Sequence, residues 1–138
     1  MGIDESGSYD IGEPLTSRIH AFVGIAGANL GLADCYLYPF SPTCNIVDGF
    51  YPGQYVMDTV VGQSEFLVNL NQQTGFEGLF RYSIWSNGDE VIKYGCVVWG
   101  ENTCQIPEQT QQAMFDEYTH LEVRDETVSV QLDFLQQE

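Results

Sequence analysis

Apolar residues along this chain gather in short runs broken by Gly, Pro, Asn and Ser, and the runs alternate between strand and helix periods. Ile19-His20-Ala21-Phe22-Val23-Gly24-Ile25-Ala26 is almost continuously apolar over one strand length. That is the pattern of a parallel strand covered on both faces, and its expected place is the centre of a sheet. Phe80 to Trp85 reads as a second buried strand. Between them, Ser64 to Asn71 sets Phe66, Leu67 and Leu70 at helical spacing behind a serine that can cap the first turn. Gln112 to Tyr118 fits either helix or strand. Asp125 to Gln137 places Val128, Leu132 and Leu135 on one face behind an Asp cap, as a closing helix would. Strand, helix, strand, helix is an α/β order.

The breakers divide the chain further. Residues 1–17 are polar, rich in Gly and Ser, and interrupted by Pro14, so they read as a linker or surface loop ahead of a domain spanning 18–138. Gly24, Gly27 and Gly31 cluster with Asn29, where the backbone must pass something closely. From Gly31 to Gly53 runs a long irregular stretch holding Pro39, Pro42, Pro52 and several aromatics. Loops of that length in a compact domain usually serve a function.

A length of 138 residues with 43% apolar content suits one modest domain with a single core. The charge balance is one-sided, with 20 Asp plus Glu against 4 Lys plus Arg and a formal net charge of -16. Such a surface repels phosphate backbones and anionic headgroups, so nucleic acid is excluded as a partner. A neutral ester or an uncharged oil surface carries no such penalty, although acidity by itself accounts for no more than solubility. No run approaches the ~20 apolar residues of a membrane span. Met1-Gly2-Ile3-Asp4-Glu5-Ser6 is acidic where an export signal would be basic and then apolar.

Four cysteines fall in two local pairs, Cys35 with Cys44 and Cys96 with Cys104, each bracketing a loop that contains Pro or Gly and Asn. Metal sites use tighter spacings or adjacent histidines, so no metal is expected, and nothing calls for a cofactor. Two disulfides and an oxidising compartment are the reading preferred over four free thiols. The acidic start conflicts with export unless a signal lies in an upstream segment.

Candidate chemistry lies toward the C-terminus. Ser83-Ile84-Trp85-Ser86-Asn87-Gly88-Asp89 delivers a carboxylate from an apolar strand into a turn softened by glycine, and His120 follows about thirty residues later. Asp then His is the order of the last two triad members in α/β-hydrolases. Taken alone, Asp89 is first a turn residue and His120 a histidine with no partner visible in the sequence. His20, the only other histidine, precedes Asp89 inside the first apolar run and reads as structural.

Five segments in order resemble the lipase class 2 family of secreted α/β-hydrolases: Phe22-Val23-Gly24-Ile25-Ala26-Gly27-Ala28-Asn29-Leu30-Gly31, the Cys35 to Cys44 loop closing on Asn45, Gly49-Phe50-Tyr51-Pro52-Gly53, Ser64-Glu65-Phe66-Leu67, and Ser83-Ile84-Trp85-Ser86 through Asp89. The likeness extends from about Pro14 onward and corresponds to the part of a partial α/β-hydrolase fold that follows the nucleophile turn. It implies a Ser-Asp-His carboxylic-ester hydrolase acting on neutral acylglycerols. His120 would serve as general base and Asp89 as its orienting carboxylate, with the serine upstream of Met1 in the other half of the fold. Tyr36, Tyr38, Phe40, Phe50 and Tyr51 would either contact an acyl chain or pack the long loop onto the core.

The nucleophile is where the chain departs from the family pattern. The nearest approach to Gly-x-Ser-x-Gly is Gly62-Gln63-Ser64-Glu65-Phe66, where Phe66 replaces the glycine that lets helix and strand approach. Ser64 therefore reads as a helix cap. Two expectations follow: a secreted lipase-type enzyme whose serine precedes this chain, which alone is inactive, or a non-catalytic binding domain on the same acidic scaffold.

Overall fold

The computed structural model describes residues 2–3 and 10–137. In chain order the strands are β1 (Gly2–Ile3), β2 (Asp10–Gly12), β3 (Ala21–Ile25), β4 (Gln54–Val56), β5 (Thr59–Val61), β6 (Phe80–Ser86), β7 (Val97–Val98), β8 (Glu101–Asn102) and β9 (Gln111–Phe115). The α-helices are α1 (Asp34–Leu37), α2 (Glu65–Leu70), α3 (His120–Asp125) and α4 (Val128–Leu135). Much of the polar segment 1–17 lies outside the described residues; within it β1 and β2 form a small antiparallel pair.

A three-stranded sheet in the order β3-β6-β9 organises the fold, and both pairings are parallel. The architecture is mixed α/β. Gly24 lies opposite Ser83, Ile84 opposite Ala113, and Ser86 opposite Phe115. β6 is the central strand, and its last five residues, Tyr82 to Ser86, are all buried. The Ile19 to Ala26 run, expected at the centre, instead forms an edge: no strand among the described residues pairs with the outer side of β3, and Phe22 is partly exposed. Only one face of β3 packs on the helix-side core, through Ala21, Val23 and Ile25, so the continuous run corresponds neither to full covering of both faces nor to a central place in the sheet. The ambiguous Gln112 to Tyr118 resolves into strand β9 over its first half, because its backbone completes the ladder with β6.

Alternation along β6 assigns the two layers. Phe80, Tyr82 and Ile84 face the helices and pack with Val123 of α3, Phe134 and Val130 of α4, and Ala26. Tyr82 and Phe134 stack at a centroid distance of 4.5 Å. On the opposite face Trp85 packs with Ile92, Cys96 and Cys104. Ser83 Oγ accepts a hydrogen bond from the Ile106 amide at 2.9 Å. Here the cover is the segment that carries the short antiparallel β7–β8 pair, closed by the Cys96–Cys104 disulfide.

The C-terminal segment corrects the sequence reading in two ways. It forms two helices, with Asp125 ending the first of them and Thr127 at the start of the second. Val128, Leu132 and Leu135, the expected core face, are each about half exposed, and Phe134 is the buried residue of α4. The single large aromatic outweighs three smaller residues because it finds a ring partner on β6.

The Gly31 to Gly53 stretch contains α1 and a 3-10 turn at Pro42–Cys44, joined by the Cys35–Cys44 disulfide. Closing loops this short stabilises by roughly 2–3 kcal/mol each in the chain-entropy account. Gly31 sits at φ +95, and a Cβ there would lie 2.8 Å from the Phe50 carbonyl oxygen. Only glycine lets the two ends of the loop cross at that point.

Candidate active site

Two loops leave the carboxyl ends of neighbouring parallel strands and meet. The first, Asn87-Gly88-Asp89, follows β6; the second, Asp116 to Thr119, follows β9 and leads into α3. Asn87 ties them together, its amide donating to the Phe115 carbonyl at 2.7 Å and its side-chain Nδ2 to Asp116 Oδ1 at 2.7 Å. In parallel α/β sheets the crevice beyond the carboxyl strand ends is where reactive groups collect.

Asp89 is fixed from both sides. Its Oδ1 accepts the main-chain N–H groups of Val91 and Ile92, each at 2.8 Å. Its Oδ2 faces His120 Nδ1 at 2.7 Å. The carboxylate side chain is 1% exposed and the imidazole 30%. A carboxylate oxygen is an acceptor, so in this contact Nδ1 donates its N–H to Oδ2. Nε2 has no hydrogen-bond partner among the described residues.

His120 is the first residue of α3, and the local sequence puts it there. Thr119 caps the helix, its Oγ1 accepting from the Glu122 amide, while Glu122 Oε2 accepts from the Thr119 amide at 2.9 Å. This reciprocal capping box holds the Glu122 carboxyl below the usual carboxylate range, chiefly through the Thr119 amide. Thr119-His120-Leu121-Glu122 carries the signature in plain sequence, and it marks the start of the helix. The main-chain N–H of His120 donates to Glu90 Oε2 at 2.9 Å. Glu90 shows no periodic or motif signal of this contact, because its partner lies on a chain segment thirty residues away.

The remaining expected residues are dispersed. Ser64 is fully buried, donates to the Gly49 carbonyl at 2.6 Å and accepts from the Leu67 amide at 3.3 Å. Both contacts belong to a helix cap that also anchors the long loop. His20 lies beside Phe80, with its Nε2 3.2 Å from the Gln137 carbonyl. Among the loop aromatics, Tyr51 is buried beside the Cys35–Cys44 disulfide, Phe50 packs edge-on to Phe66, and Tyr36 packs edge-on to Trp99. Tyr38 is exposed, and Phe40 is 98% exposed. A groove of about 330 Å³ runs along Met114 to Tyr118, the segment that leads into His120.

Among the described residues no helix is long and apolar enough to cross a membrane. No curated protein and no solved structure matches the chain. A family model does match, over residues 2–133, and its description is Lipase (class 2). The match takes in both strands that deliver the Asp89–His120 pair, and the chain belongs to the class 2 lipase family.

Proposed function

We propose that this chain supplies the base half of a Ser-Asp-His carboxylic-ester hydrolase, with neutral acylglycerols as substrate. The observation that carries this reading is the Asp89–His120 contact at 2.7 Å, in which the carboxylate is buried and Nε2 has no hydrogen-bond partner among the described residues. A serine hydroxyl placed at Nε2 would lose its proton to the imidazole as its oxygen attacks the ester carbonyl carbon. Asp89 would stabilise the imidazolium. Collapse of the tetrahedral adduct would expel the alcohol, which takes the proton from Nε2, and water would then repeat the sequence on the acyl-enzyme.

The serine and the oxyanion hole belong, in this reading, to a segment preceding Met1. Supporting it, Ser64 has both hydrogen-bonding roles filled inside the protein, and no hydroxyl among the described residues bonds to Nε2. Among the described residues no strand pairs with the outer edge of β3, where a further strand could add. The 138-residue chain alone is then a non-catalytic scaffold. Secretion accords with the two disulfides and with the lipase family.

Fluorophosphonate labelling tests the assignment. The isolated chain should take up no label, and a longer form carrying the preceding segment should be labelled on a serine of that segment. In the longer form Asp89→Asn should lower ester hydrolysis by about 10⁴-fold, the loss that this amide causes in a serine protease triad. Full activity of that variant, or stoichiometric labelling of Ser64 in the isolated chain, would refute the proposal.

A further inference from the structure

We infer that Glu90 is a positioning residue for His120, acting on its main chain while Asp89 acts on its ring. The inference rests on the proposed Asp89–His120 base and extends it. Two consecutive carboxylates of one loop grip one residue of another: Asp89 Oδ2 at Nδ1 with 2.7 Å, and Glu90 Oε2 at the backbone nitrogen with 2.9 Å. An imidazole is aimed by its Cα position and its side-chain torsions together. Asp89 alone restrains only the far end of that linkage.

The start of α3 does not depend on Glu90. Thr119 and Glu122 already form a complete capping box, with Thr119 Oγ1 satisfying the Glu122 amide and Glu122 returning the bond to the Thr119 amide. The N–H of the first helical residue has no intrahelical partner and is ordinarily left to water. Glu90 takes that one amide, and it is the amide of the histidine. Glu90 itself is exposed, so its carboxylate trades water for this contact without a large desolvation cost. Lys93 and Arg124, the cations nearest in sequence to the two loops, bond instead to Asp34 and Asp125.

Proton NMR of the full chain reads the geometry without requiring turnover. The His120 Nδ1–H bonded to Asp89 should give a resolved low-field signal whose exchange with water reports how tightly the ring is held. In Glu90→Ala that exchange should accelerate about tenfold, the scale of one net hydrogen bond. The Val123 amide should keep its protection in the same variant, because the capping box persists. Glu90→Gln, which keeps the acceptor oxygen, should stay within about twofold of the parent.

Unchanged exchange in Glu90→Ala overturns the positioning role, and so does loss of Val123 protection, which would make Glu90 an ordinary helix cap. A low-field signal that disappears in Asp89→Asn, together with a longer form that hydrolyses no ester, would instead refute the enzymatic reading while leaving the contact intact.

Discussion

Gly88 abuts Asp116. A Cβ built on Gly88 would lie 2.9 Å from the Asp116 carbonyl oxygen and 3.2 Å from that of Tyr118. Its backbone does not occupy the left-handed region, so sterics alone call for glycine here. The missing side chain allows the loop after β6 to lie against the loop after β9, and that closeness brings Asp89 to His120.

Gly88→Ala should therefore separate the two loops. Both neighbours are main-chain atoms that cannot rotate away, so the expected cost is about 1–3 kcal/mol, as for other overpacked sites. Urea unfolding would give the stability change, and the low-field Nδ1–H signal of His120 should weaken or vanish in the folded protein. A variant with parent-like stability and an unchanged signal would show that the loops can yield.

The packing of α4 makes a second, contrasting pair of predictions. Phe134→Ala removes the ring stacked on Tyr82 from the interior and should cost about 3–5 kcal/mol. For a domain whose whole stability is of order 5–15 kcal/mol, that is a large loss. Leu132→Ala, at a position 51% exposed, should stay within about 1 kcal/mol. Chemical denaturation of both variants checks the ranking, and a reversal would mean that α4 presents its other face to the sheet.

Asp34, Lys93 and Tyr94 form a surface latch between α1 and the segment after Asp89. Asp34 takes hydrogen bonds from the Lys93 ammonium and, at 2.9 Å, from the Tyr94 hydroxyl. The Lys93 bond first and then that of Tyr94 hold the Asp34 carboxyl below its ordinary value. Hydrogen bonding to Asp34 raises both Lys93 and Tyr94. The depressed carboxyl contributes stability above about pH 4, lost as pH falls through its lower folded value. The two raised groups contribute fully below about pH 10, and their share is lost as pH rises through their higher folded values. Phenolate absorbance should show Tyr94 ionising at a lower pH in Asp34→Asn than in the parent. Identical titrations would mean that the latch does not form in solution.

Much of this protein is legible in its amino-acid sequence. The short separations of Cys35 from Cys44 and of Cys96 from Cys104 point to the two bridges that form, since loops of this size close at little entropic cost. Ser64 lies two residues before the apolar helical repeat that begins at Phe66, and its hydroxyl does accept from Leu67 as a cap should. Family resemblance, more than position, singles out Asp89 and His120.

Properties carried within a few residues can be read from the chain alone: apolar runs long enough for strands, cap residues, cysteine pairs and the α/β order. Tertiary structure decided that β6 and not β3 is central, that Phe134 rather than Leu132 enters the core, and that Gly88 and Glu90 stand against a loop thirty residues away. Local signals arise from the 2.0 and 3.6 periodicities of the backbone, which repeat along the chain and can be read in one dimension. Lateral strand order and loop-to-loop contact depend on which distant surfaces exclude water together, and no periodicity within one segment encodes its neighbour.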